Sequence, residues 1–149
     1  MKETRFEPAQ HDAATPTTLS SEASFTDYFT FIIERADLKM SRGKLAAQCA
    51  HACRLSFLSF LNKSPGTIPS EADSSAFGSI VVLKAKSELQ LKKLFELAQE
   101  RDLPTHLFTD HGHVISGTVF DGQPVLTALA IGPVQRARID DATRAFSCA

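Results

Sequence analysis

The stretch DLKMSRGKLAAQCAHA, residues 37–52, decides how this chain folds. Just before it, FTDYFTFIIE (25–34) is aromatic and β-branched, which suits a strand. Within and beyond it, Leu45, Cys49, Ala52, Cys53, Phe57 and Phe60 recur at helical spacing, to about Leu61. DLKMSR is therefore a strand-to-helix loop. The hydroxyl of Ser41 can accept from a free backbone N–H and cap a helix that begins near Gly43. Strand, loop and helix in that order open a β-α-β unit. The same stretch also carries Lys39, Arg42, Lys44, Gln48 and His51, groups that a helix built only for burial does not need.

Working outward, NKSPGTIPSEADSS (62–75) is a linker rich in Pro, Gly and Ser. SIVVLKA (79–85) is a continuous apolar run, as expected of a strand covered on both faces. SELQLKKLFELAQERD (87–102) is an amphipathic helix with Leu91, Leu94, Phe95 and Ala98 inward and Ser87 as its cap. LPTHLFTD (103–110) is a third strand, with Pro104 at its start where a missing N–H is tolerated. HGHVISGTVFDGQ (111–123) is a loop with an extended excursion at TVF. PVLTALAIGP (124–133) is a fourth strand, and VQRARIDDATRAF (134–146) reads as a terminal helix.

The order β-α-β-α-β-β-α predicts an α/β fold of three layers, with helices on both faces of a mixed four-stranded sheet. Its two crossovers imply a parallel core for the first three strands. The fourth strand, reached without a helix, is antiparallel or an added neighbour. Residues 1–24 are polar, without periodicity, and read as a disordered arm before a single domain over 25–149.

Composition sets wide bounds. At 149 residues, 43% hydrophobic and 22% charged, the chain suits one globular domain. No run approaches the roughly 18 apolar residues of a membrane span, and the N-terminus has no secretory pattern, so no membrane partner is expected. Cys49 and Cys53 lie one helical turn apart in an apolar segment and read, with Cys148, as reduced thiols of a cytoplasmic protein. They lack the second ligand pair of a zinc site, so no metal is expected. The net charge of −1 gives no global sign of nucleic-acid binding, but Arg35, Lys39, Arg42 and Lys44 form a local basic run opposed only by Asp37.

In an open α/β sheet the polar crevice lies beyond the carboxyl ends of the parallel strands. DLKMSRGK leaves strand one there and DHGH leaves strand three, so topology brings Lys44 and Asp110 to one edge. Lys44 sits in the first helical turn, where the helix dipole disfavours a cation. A cation there suggests an anionic visitor, such as a phosphate or a developing oxyanion, which the free N–H groups of the helix start also favour. Lys44, Gln48 and His51 fall at i, i+4 and i+7, a stripe separate from Leu45, Cys49 and Cys53. A solvated polar face with a hydrogen-bonded histidine accounts for the same pattern on spacing alone.

DLKMSRGKLAAQCAHA resembles the signature of the archaeal/eukaryotic-type (type 2) peptidyl-tRNA hydrolases, D-[LI]-K-M-x-x-G-K-[IL]-A-A-Q-[CV]-x-H-A. IVVLKAKSELQLKKLFELAQERDLPTHLFTD resembles that family's second strand, helix and third strand, and ALAIGP resembles its closing L-G-I-G-P. The likeness spans about Phe29 to Pro133. It implies hydrolysis of the ester between a peptide and the 3′ ribose of tRNA, with peptidyl-tRNA as partner and no cofactor. The family's lysine falls on Lys44, its glutamine on Gln48, its histidine on His51 and its aspartate on Asp110. Lys39 and Arg42 would meet the nucleic-acid phosphates. Asp110 is the candidate to position or deprotonate water, and Lys44 the candidate oxyanion donor. The sequence does not fix the oligomeric state and is compatible with a homodimer.

One segment departs from the pattern. The family continues D-x-G-[RK]-T-Q-[IV]-x-P-G-T, whereas this chain reads DHGHVISGT, two residues shorter and without the Thr-Gln pair. His111 and His113 could replace the lost donor, with His113 the candidate catalytic residue. His111, and Thr118 of the closing G-T, are candidate substrate contacts. A relative that binds tRNA or another RNA without cleaving it, or that serves as a regulatory module, is the main alternative; hydrolysis of another small ester or amide is a weaker one.

Overall fold

The computed structural model describes residues 28–65 and 78–149. The arm over 1–24 and most of the 62–75 linker lie outside the described residues. Eight elements follow in order: β1 Tyr28–Arg35, α1 Arg42–Lys63, β2 Ser79–Ala85, α2 Glu88–Glu100, β3 Thr105–Asp110, β4 Val125–Gln135, a short α3 Asp140–Thr143, and β5 Ser147–Cys148. Short 3-10 turns occupy Ala36–Leu38 and Arg136–Arg138. Ser41 caps α1 by accepting from the Lys44 N–H, and Ser87 caps α2 by accepting from the Gln90 N–H.

The sheet is α/β and mixed, as the sequence predicts, but it has five strands, in the order β3-β4-β1-β2-β5. β1 and β2 are parallel neighbours, with Ile32 beside Val82. β4 runs antiparallel to both β1 and β3 and lies between them. The expected parallel core of three adjacent strands is thus divided. β3 still points the same way as β1, since both oppose β4, so the carboxyl ends of β1 and β3 open on one edge. That shared direction, not adjacency, places the site.

α1 packs on one face, where Cys49 and Ala52 meet Ile32, Ala128 and Ala130. α2 packs on the other, where Leu91, Leu94 and Ala98 meet Phe31, Ile33, Leu83, Leu129 and Ile131. Strand alternation sends Ile32 to one side and Ile33 to the other. In β4, Gly132 has φ +121°, and a Cβ there would stand 2.4 Å from the Phe29 carbonyl oxygen, so the crossing with β1 requires glycine.

The expected terminal helix over 134–146 is replaced by several short elements. β4 runs on through Val134 and Gln135, because Val134 is buried in the α2-side core. Ile139 is wholly buried in the same core, and Arg101 forms a two-pronged ion pair with Asp141 while also bonding the Arg138 carbonyl. These anchors break the segment into turns. The chain then returns as β5, which pairs antiparallel with β2. It covers an edge that would otherwise present unpaired backbone.

Candidate active site

β3 ends in Asp110, and α1 begins two residues before Lys44; the meeting of those two residues defines the site.

 Counting from its cap at Ser41, α1 brings Lys44 into its first turn, and the Lys44 ammonium forms an ion pair with Asp110 Oδ2. Both side chains are withdrawn from water, at 8% and 7% exposure. Gln48, one turn further along α1, directs its Nε2 to the same oxygen at 3.5 Å. From the loop after β3, His113 Nδ1 meets the other oxygen, Asp110 Oδ1, at 2.8 Å. Both oxygens of Asp110 are therefore engaged. Burial acts to raise the Asp110 carboxyl's pKa, but the hydrogen bonds and charges of Lys44 and His113 outweigh it and hold the group below its ordinary value.

Two further residues hold this network, and the sequence pattern does not single out either. A register shift separates the pairs Phe108–Ala128 and Thr109–Leu126, leaving Thr127 as an extra residue in β4. This bulge turns Thr127 toward α1. Its hydroxyl donates to Gln48 Oε1 at 2.7 Å, with the Phe108 carbonyl a second acceptor at 3.3 Å. With its oxygen so occupied, the Gln48 amide presents its NH2 to Asp110. The second residue is Phe120, 2% exposed, whose ring centroid lies 4.1 Å from Lys44 Nζ. Its π-face favours the ammonium and shields the ion pair from water. Its loop also carries Val114, Ile115 and Val119, all exposed, so apolar character alone does not mark Phe120 in the sequence.

The loop that delivers His113 and Phe120 is a tight hairpin. Gly122 N–H donates to the His113 carbonyl at 3.0 Å, and Ile115 N–H donates to the Phe120 carbonyl at 2.7 Å. Val114 and Asp121 form an isolated antiparallel bridge, so the extended excursion reads one step wider than TVF. Thr118 works inside the hairpin tip: its hydroxyl donates to the Ile115 carbonyl and accepts from the Phe120 N–H. His111 is exposed beside this hairpin.

The remaining sequence candidates lie around the pair without joining it. His51 stacks on Phe108, with ring centroids 4.8 Å apart. Lys39 and Arg42 are exposed on the approach to α1, Lys39 in a left-handed turn at φ 49°. Arg35 leaves the expected basic run. It is buried, bonding Asp37 through two nitrogens and Glu88 and the Leu126 carbonyl through a third. The Arg35 hydrogen bond holds Asp37 below the usual carboxylate range, so the acid of DLKM serves the framework that joins β1 to β4. Among the described residues, no group of three His, Cys, Asp or Glu converges in a way that could hold a metal ion.

A family model described as Peptidyl-tRNA hydrolase PTH2 matches residues 28–149. The chain belongs to this family. The peptidyl-tRNA hydrolase of Methanopyrus kandleri is 42% identical over 118 residues, which cover 78% of this chain and 93% of that one. The peptidyl-tRNA hydrolase of Haloquadratum walsbyi is 40% identical over 121 residues, covering 78% and 95%. That of Staphylothermus marinus is 36% identical over 120 residues, covering 79% and 92%. The family match runs across α1, β3 and β4, the elements that supply Lys44, Gln48, Asp110 and Thr127.

Proposed function

We propose that this chain hydrolyses the ester bond of peptidyl-tRNA, releasing the peptide and free tRNA. The observation that carries the reading is the buried Lys44–Asp110 pair at the open edge of the sheet, in a chain of this family. Ester hydrolysis passes through a tetrahedral oxyanion, and a pre-placed ammonium with little water around it stabilises that charge far better than one in bulk solvent. Lys44 has further N–H donors beyond the one engaged by Asp110. Asp110 and Phe120 hold it in place, and Gln48 fixes Asp110 in turn. Lys39 and Arg42, exposed before and at the start of α1, are the candidates to meet tRNA phosphates; His51, His111 and Thr118 are the further candidate substrate contacts. The protein acts in the cytoplasm, where such a substrate arises and where the free thiols of Cys49, Cys53 and Cys148 stay reduced.

A second reading, a relative that binds RNA without cleaving it, draws on the rebuilt segment after Asp110. One assay separates the two: diacetyl-lysyl-tRNA with the wild type, Lys44→Ala and Asp110→Ala. Turnover by the wild type, abolished by both substitutions, is the expected result. Salt-sensitive retention of tRNA with no turnover would establish the second reading instead.

A further inference from the structure

In a site where Asp110 is the obvious base, the geometry leaves it little room to act as one. Oδ2 accepts from Lys44 and Gln48, and Oδ1 from His113. Three of the roughly four acceptor positions of the carboxylate are thus taken, and with its side chain only 7% exposed it is poorly placed to take a proton from a solvent water. Its partner on the open side is different. With Nδ1 donating to Asp110, the neutral His113 ring carries its lone pair on Nε2, at the far side of the ring. Among the described residues Nε2 has no hydrogen-bond partner, and the side chain is 62% exposed.

We infer that His113 is the general base of this enzyme, taking a proton from the attacking water at Nε2, with Asp110 as the residue that fixes its tautomer and orientation. The inference rests on the hydrolase reading above and assigns the water-activating step of that same site. A carboxylate that orients an imidazole and steadies its protonated form is an established division of labour in acyl transfer. Here the two ends of one carboxylate hold the two working groups, the imidazole on Oδ1 and the ammonium on Oδ2.

The step balances as follows. Nε2 takes a proton from water as the water oxygen bonds to the ester carbon. The carbonyl π pair moves onto its oxygen, opposite the Lys44 ammonium. When the carbonyl re-forms, the bond from carbon to the ribose O3′ breaks, and Nε2 returns its proton to that O3′. No further reactant is needed. The hairpin fixes the ring's backbone through the Gly122 N–H bond to the His113 carbonyl and through the Val114–Asp121 bridge. The charged groups around the imidazole are Asp110 and, beyond it, Lys44; His111 and Asp121 are the other titratable residues of the loop.

The test uses the full chain and diacetyl-lysyl-tRNA, comparing the wild type with His113→Ala and His113→Gln. Both variants should lose about 10²–10⁴-fold in kcat with KM little changed, the usual range for a general base. Glutamine can still donate to Asp110 but cannot take the proton, so His113→Gln should be as slow as His113→Ala. Added imidazole should restore turnover to His113→Ala, because the position is open to solvent. The acidic limb of the wild-type kcat/KM profile should vanish in both variants. Wild-type kcat in His113→Ala, or recovery in His113→Gln, would overturn the assignment while leaving the hydrolase reading intact. No turnover by the wild type would overturn that reading, and this assignment with it.

Discussion

On the face of the sheet under α2, Phe31, Ile33, Leu83, Leu129 and Ile131 meet Leu91, Leu94 and Ala98. Under α1, Ile32 is flanked by Ala128, Ala130, Ala52 and Cys49, and the buried positions beside them are Gln48, Ser56, Thr127 and Glu34. The first face is large and apolar, and its contribution to stability scales with the area it removes from water. The second has small residues that let helix and sheet approach closely, and its buried polar groups bond across the gap. Ser56 donates to the Gly132 carbonyl at 2.6 Å, and Thr127 donates to Gln48. Among the described residues, no buried side-chain nitrogen or oxygen lacks a partner. One face holds the fold, and the other holds the orientation of Lys44 and Asp110.

If that division is sound, substitutions on the two faces should separate stability from turnover. Leu129→Ala leaves a cavity in the α2-side core, and the expected cost is about 2–5 kcal/mol. Thermal unfolding should move down by several degrees, while kcat/KM per folded molecule stays near the wild-type value. Lys44→Ala should do the reverse. Loss of a preorganised donor costs about 10²–10³ in kcat, while Asp110 keeps Gln48 and His113 as donors, so the midpoint should fall by less than in Leu129→Ala. A Lys44→Ala protein that melts as early as Leu129→Ala would break the comparison and demote the pair to a structural one.

Thr127→Val is the intermediate case, because this residue belongs to both roles. The variant keeps the shape but leaves Gln48 Oε1 buried without its donor, a cost of about 1–3 kcal/mol. Turnover should fall along with the melting temperature, since the Gln48 amide is then free to rotate away from Asp110. Thr127→Ser retains the hydroxyl and should recover most of both. Two independent readouts that fail to move together would show that Gln48 does not act through Asp110.

How much of this was open to reading from the chain depends on range. Strands, the two long helices and their caps follow from local periodicity and from Ser41 and Ser87. The neighbourhood of Lys44 and Asp110 follows from the direction of β1 and β3. The insertion of β4 between those strands leaves no local trace, because strand order is chosen by pairing across the whole sheet. Gln48 falls on the polar stripe of α1, for which spacing alone leaves a solvated face open; it is buried, because Thr127, distant in sequence, satisfies its oxygen. Thr127 faces α1 only through a bulge, and one extra residue in a strand cannot be seen without its partner strand. The segment after Val134 reads as a helix, yet the burial of Ile139 anchors it as turns.

The smallest effect is also the most specific to the α1 side, where two buried carboxyls are shifted in opposite senses. Asp110 is held low by Lys44 and His113 against the effect of its burial. Its stabilisation is therefore present above the unfolded-state value of about 3.9 and is lost as pH falls through the lower folded value. Glu34 is pushed up by burial, with Lys84 working against the shift and Asp37 adding to it. Its ionisation costs stability above the raised folded value, and that cost is gone below about 4.3, the ordinary value for a glutamate. Glu34→Gln should thus raise the melting temperature at neutral pH and lose its advantage in acid. Asp110→Asn should lower it at neutral pH, with the deficit closing only in stronger acid. Melting curves for the two variants, taken as differences from the wild type, should therefore approach zero from opposite sides as the pH is lowered. Differences of the same sign at neutral pH would mean that burial governs both groups, and that the Lys44 ion pair does not set the charge state of Asp110.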